Sequence, residues 1–140
     1  MPRRHLAVAS ALATLSLAAS AQVAVVAGAK SGASPLNAEQ VSNLYLGKSD
    51  KVAGIGSLVL LEQADGSPVR EQFYAKAIGK TPAQVKAAWT RLVFSGKAQM
   101  PKEAGSSADV KKAVAANPDA VGYIEKSAVD GTVKVLFTID

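Results

Sequence analysis

The chain contains no cysteine, and its single histidine, His5, lies at the extreme amino terminus. Without thiols there can be no disulfide, no thiolate nucleophile and no cysteine-ligated metal. Past position 5 the absence of histidine also removes a Ser-His-Asp triad, a Cys-His dyad and an ordinary zinc site, and with them most hydrolase mechanisms. Carboxylate-only chemistry remains formally open. Glu62 and Asp65 flank one turn, but no base with an orienting partner stands beside them, and acidic residues at strand ends and turns are as a rule structural. No catalytic residue, metal ligand or cofactor is therefore assigned, and the chain is read as a non-enzyme. Aromatic residues are few as well, at 5%. With only a modest basic excess, spread along the chain without a basic run or interleaved aromatics, nucleic-acid binding finds little support.

What is present begins with a targeting pattern. Arg3-Arg4, the apolar stretch Leu6 to Ala18 and the small-residue triplet Ala19-Ser20-Ala21 have the layout of a secretory signal peptide, residues 1–21, with cleavage expected after Ala21. The arginine pair suits an ordinary basic leader or a twin-arginine signal. The apolar stretch is too short to span a bilayer and no later run is longer, so a soluble exported product is expected, with no membrane span after signal removal. Residues 22–140 have the length of one domain with a single core, and removing Arg3 and Arg4 lowers the formal charge from +5 to +3.

Along that domain, apolar runs and helix starts alternate. Residues 22–27 (QVAVVA) read as a short buried strand followed by a small-residue loop. Asn37 with Gln40 forms a capping-box pair for a helix to about Leu46, with Leu36 placed to staple onto Val41. Leu58 to Leu61 is continuously apolar, as in a strand covered on both faces. A helix follows, with Val69, Phe73 and Ala77 inward. Thr81-Pro82-Ala83-Gln84 starts another, whose inner stripe is Val85, Ala88, Trp89, Leu92 and Val93. Residues 95–105 read as irregular. Ser106 or Ser107 caps a helix ending near Asn117-Pro118, with Lys111 and Lys112 on its solvated face. Residues 121–124 and 132–139 are strands joined through Asp130-Gly131. Strands alternating with helices imply an α/β sheet with a mainly parallel centre, and the turn between the last two strands allows an antiparallel edge.

The stretch from Leu58 to Ile78 carries the chemistry. Asp65-Gly66 is a turn pair, Ser67 a preferred N-cap, and Pro68 occupies the first helical position, where proline is best tolerated. Unpaired amides and the positive end of the helix dipole converge beside the Ser67 hydroxyl, with Arg70 in the same turn. Such a place favours an anion.

Three stretches, in order, carry a family resemblance: Leu36-Asn37-Ala38-Glu39-Gln40-Val41 through Tyr45-Leu46-Gly47-Lys48, then Ala64-Asp65-Gly66-Ser67, then Asn117-Pro118-Asp119-Ala120-Val121-Gly122-Tyr123-Ile124-Glu125. Together the chain resembles the phosphate-binding periplasmic proteins of ABC transporters, over a length matching one of their two lobes. The resemblance implies one lobe of a type II periplasmic-binding-protein fold: an α/β architecture, with a mainly parallel or mixed sheet and helices on both faces. It also implies a periplasmic location, a phosphate-like oxyanion as ligand, bound weakly by a monomer, and a transporter or other periplasmic protein as partner. Gly66, Ser67, Val69 and Arg70 are the ligand-binding residues it points to. In the family pattern an arginine stands where this chain has Gln63, a glycine where it has Pro68 and a threonine where it has Val69. Those departures remove a cation, a backbone donor and a hydroxyl, while Arg70 offers a charge from the next position. They also support a second expectation, a periplasmic protein-interaction domain that kept the fold and lost effective ligand binding.

Overall fold

A computed structural model describes residues 22–140; the signal-peptide segment, residues 1–21, lies outside the described residues. In chain order the elements are β1 (Val23–Gly28), α1 (Ala38–Tyr45), β2 (Val59–Gln63), α2 (Pro68–Phe73) continued by one π turn (Tyr74–Ile78), α3 (Pro82–Phe94), β3 (Lys102–Gly105), α4 (Ser107–Ala116), β4 (Ala120–Glu125), a 3-10 turn (Lys126–Ala128) and β5 (Val133–Ile139). The strands form one sheet in the order β3-β2-β4-β1-β5. β2 runs parallel to both of its neighbours, β3 and β4, whereas β1 runs antiparallel to β4 and to β5. The mixed α/β architecture expected from the sequence is thus present.

In β1 the continuous apolar run is explained by cover on both faces, whereas in the run from Leu58 to Leu61 only Leu61 is buried and the first three residues are half-buried. Alternate residues of β1 point to opposite sides. Ala24 and Val26 join Leu61, Val110, Val114, Ala120 and Ile124 in a core under α4. Val23, Val25 and Ala27 join a larger core with Val41, Leu44, Tyr45, Phe73, Tyr74, Val85, Trp89 and Tyr123 beneath α1, α2 and α3. α4 lies so close to the sheet that a Cβ at Gly28 would fall 2.2 Å from the Val114 carbonyl oxygen. Only glycine fits there.

Local signals hold at the helix starts. Asn37 and Gln40 form a capping box, as do Thr81 and Gln84, and Ser106 caps α4 with Asp109 as its reciprocal partner. Four details differ from the sequence expectations. Lys102–Gly105 is a strand, because register with β2 supplies a ladder that the weak β-formers Lys-Glu-Ala-Gly do not announce. β5 is an antiparallel edge strand, but its partner is β1, which lies between β4 and β5. Lys111 is tied down, its ammonium 3.0 Å from Asp130 and 3.2 Å from the Ala128 carbonyl. Val93 is 40% exposed, because the last turn of α3 runs past the edge of the core.

Candidate anion-binding site

Parallel pairing puts the carboxyl ends of β2, β3 and β4 along one edge of the sheet, the usual position of ligand sites in α/β folds. The chain turns from β2 into α2 through Asp65-Gly66-Ser67, and from β3 into α4 through Ser106. Gly66 has φ of 83°, a left-handed conformation natural to glycine. Both helices therefore start at this edge, each with first-turn amides that have no acceptor in their own helix.

Gln63, the last residue of β2 and 1% exposed, joins the two starts. Its side-chain oxygen accepts from Ser67 Oγ at 2.8 Å, and its Nε2 donates to Ser107 Oγ at 2.9 Å and to the Tyr123 carbonyl at 3.1 Å. Ser67 Oγ in turn accepts from the Arg70 amide at 3.3 Å, the N-cap bond. Ser107 Oγ accepts from Gln63 and, at 3.3 Å, from the Glu125 amide, so its own proton is not committed to either of them.

Beside this bridge lies a buried acid. Glu62, 5% exposed, accepts from the hydroxyl of Tyr74 and, at 2.5 Å, from that of Tyr123. Arg70 donates through Nε to Tyr74 Oη at 3.0 Å and through Nη1 to the Gln63 carbonyl at 2.9 Å, and stands 3.7 Å from Asp65. Desolvation raises the Glu62 pKa, against the lowering effects of Tyr123, Tyr74 and Arg70. Burial and the Glu62 charge raise both tyrosines in the same way, so the hydroxyls stay protonated and serve as donors. Burial disfavours the Arg70 cation, but Glu62 and Tyr74 outweigh it and its pKa rises. A cleft of about 360 Å³ borders the cluster and is lined by Glu62, Asp65, Arg70, Tyr74 and Trp89, among others. Glu62 and Asp65 do not act as a pair: the tyrosines hold one and Arg70 the other. Among the described residues no group of three or more acidic or histidine side chains is arranged to hold a metal ion.

The four candidate residues fall differently. Gly66 and Ser67 form the turn and cap, as their types suggest. Val69 is 7% exposed, with its side chain in the larger core, so only its amide faces the helix start. Arg70 does not extend into solvent: its side chain is 15% exposed, folded onto the Tyr74 ring with its guanidinium carbon 5.3 Å from the ring centre. Sequence reasoning missed Gln63 as a bridge and Ser107 as its second end. A faint signal was there, since Gly105-Ser106 before α4 repeats the Gly66-Ser67 order before α2.

The architecture is one mixed α/β sheet with helices on both faces, with its candidate site where two helices begin. Among solved structures, it is similar to a protein from Clostridium perfringens assigned as a phosphate ABC transporter substrate-binding protein and crystallised with bound phosphate, at TM-score 0.65 and 21% identity over 84% of this chain and 45% of that one. It is also similar to an ABC-type phosphate transport receptor from Vibrio cholerae, at TM-score 0.62 and 20% identity over 84% of this chain and 47% of that one. At such identities the likeness is one of fold, and the chain spans less than half the length of either protein. No protein-family profile matches it. No curated protein matches it either. Among the described residues, no helix is long and apolar enough to cross a membrane.

Proposed function

We propose that the chain is an exported, non-catalytic binding module for a small phosphate-like oxyanion, resembling one lobe of the substrate-binding component of a phosphate transporter. The observation that carries this reading is the Gln63 bridge, which brings the starts of α2 and α4 within the width of one carboxamide. Donors available there are the uncommitted Ser107 hydroxyl, the first-turn amides of Val69, Ser107 and Ala108, and the remaining hydrogens of Arg70. Gly66, Ser67, Val69 and Arg70 shape the α2 half of the site. Three or four such contacts, each worth about 1.5–3 kcal/mol before ordering costs and water competition, correspond to a dissociation constant of about a millimolar for a monomer. A signal peptide ending at Ala21 would deliver the module to the periplasm, where a transporter or another exported protein is the fitting partner.

Amide shifts in an NMR titration test the reading without disturbing the fold. Phosphate should give saturable shifts at Gly66, Ser67, Val69 and Arg70 and at Ser106 to Asp109, which chloride at matched ionic strength does not reproduce. Non-saturating shifts scattered over the exposed lysines would reject it. A specific observation favours the second reading, an interaction domain that has lost ligand binding. Ser67 already donates to Gln63, and the carboxylates of Asp65 and Asp109 stand at the two helix starts, where they oppose a further anion. Rejection in the titration would leave that reading as the better one.

A further inference from the structure

The basic excess is not evenly distributed. From Gln72 to Lys102 there is no acidic residue and there are six basic ones, Lys76, Lys80, Lys86, Arg91, Lys97 and Lys102, whereas the rest of residues 22–140 has eight basic against eleven acidic residues. This segment is the excursion that connects β2 to β3, containing the π turn, α3 and the loop after it. All six cations are exposed, and none takes part in either ion pair found among the described residues. The same segment carries three of the four exposed large apolar side chains among the described residues, Val93 at 40%, Phe94 at 89% and Met100 at 52%. Lys86, Arg91 and Phe94 share the outer face of α3, around one shallow depression with Ala83, Ala87 and Thr90. Its inner face, Val85 and Trp89, is buried in the core.

We infer that this outer face and the α3 tip form a docking surface for an anionic lipid bilayer. A protruding phenylalanine flanked by unpaired cations is the composition that inserts at a headgroup boundary while its charges meet lipid phosphates. A structured acidic protein is the weaker fit. Five of the six cations are lysines, point charges on flexible stems that suit a mobile plane of phosphates better than the bidentate geometry of protein carboxylates. Val93 and Phe94 are exposed on the last turn of α3, where Phe94 borders only a shallow depression, whereas Met100 also lines the cleft beside Arg70. Ala83, Lys86 and Met100 also border the cleft beside Arg70, so the surface adjoins the α2 half of the candidate site without including the Gln63 bridge, and the inference does not depend on an oxyanion binding there.

Vesicle cosedimentation of residues 22–140, which contain the whole sheet and both cores, tests it. The protein should sediment with phosphatidylglycerol vesicles at low salt, remain free with phosphatidylcholine vesicles, and be released by about 0.5 M salt. Lys86→Glu with Arg91→Glu should weaken binding by about fivefold per cation removed or more, and Phe94→Ser should weaken it further. A charge-matched control, Lys112→Glu with Lys126→Glu, should leave most of the binding intact. Equal losses in the two double variants would overturn the inference, because net charge alone would explain them. So would no binding to anionic vesicles, and binding to soluble polyglutamate without vesicle binding would assign the face to an acidic polypeptide instead.

Discussion

At the scale of single residues, the decisive side chains are Glu62, Gln63 and Arg70. Each is buried or half-buried beyond what its type would suggest; Glu62 and Gln63 are held by partners distant in sequence, and Arg70 by the nearby Gln63 and Tyr74. Arg70 lies folded against Tyr74 and the Gln63 carbonyl, so Arg70→Ala should lower stability by about 1–3 kcal/mol, since it strips charge-assisted bonds from groups that stay buried. Urea unfolding would measure it; a change within 0.3 kcal/mol would mean the side chain is solvated. For Glu62 the prediction is a pH dependence. Its folded pKa is raised above the ordinary 4.5, so between about 4.5 and the raised value the folded state holds more protons than the unfolded one. Stability contributed by this group must then fall as pH rises through that window and level off above it. Wild type should lose stability relative to Glu62→Gln across that rise, measured as unfolding midpoints from pH 4 to 8. A constant difference would show that Glu62 titrates alike in both states.

Among the elements, α3 has two faces with different fates. Trp89, 6% exposed, packs into the larger core and donates from Nε1 to the Tyr45 carbonyl at 2.8 Å, closing the end of α1. Trp89→Ala removes both the ring and that bond, and should cost about 3–5 kcal/mol, readable by thermal or denaturant unfolding. A cost under 1 kcal/mol would mean that α3 is only loosely attached. Below it, Tyr45, Phe73 and Tyr123 form an aromatic stack, with Phe73 and Tyr123 nearly parallel at 4.0 Å and Tyr45 edge-on to Phe73 at 4.7 Å. This stack ties α1 and α2 to β4. It also sets the Tyr123 hydroxyl over Glu62, so core packing positions the polar cluster.

For the whole molecule, one mixed sheet with helices on both faces carries the proposed oxyanion site at one edge and the basic excursion between β2 and β3. If the oxyanion reading holds, phosphate at about ten times its dissociation constant should stabilise the protein by roughly 1.4 kcal/mol, and the melting temperature should rise beyond a chloride control of equal ionic strength. With millimolar affinity this needs tens of millimolar phosphate. Equal shifts in phosphate and chloride would count against the site. Mass measurement of secreted protein should find a chain beginning at Gln22; full-length protein retained in the cytoplasm would remove the basis for an exported role.

The sequence by itself determined what short-range chemistry controls. Capping boxes at Asn37 and Thr81 declare themselves within four residues, as does the Asp65-Gly66-Ser67-Pro68 turn, because N-cap bonding and the fixed φ of proline are local, while the cap of α4 was narrowed only to Ser106 or Ser107. Apolar periodicity likewise marked Val85 and Trp89 as core. The absence of cysteine, and of histidine beyond His5, closed off whole classes of chemistry without any coordinates. Only the tertiary structure decided which strands pair, since β3 is a strand by virtue of β2, and β5 reaches β1 across a separation that no local pattern encodes. The candidate site was decided the same way. Ser67 and Ser107 are forty residues apart in the chain, and nothing in either segment says that one glutamine joins them. That contact exists because parallel pairing of β2 with β3 and β4 brings the carboxyl ends of all three to the same edge, and a bond between distant segments is set by packing of the whole sheet.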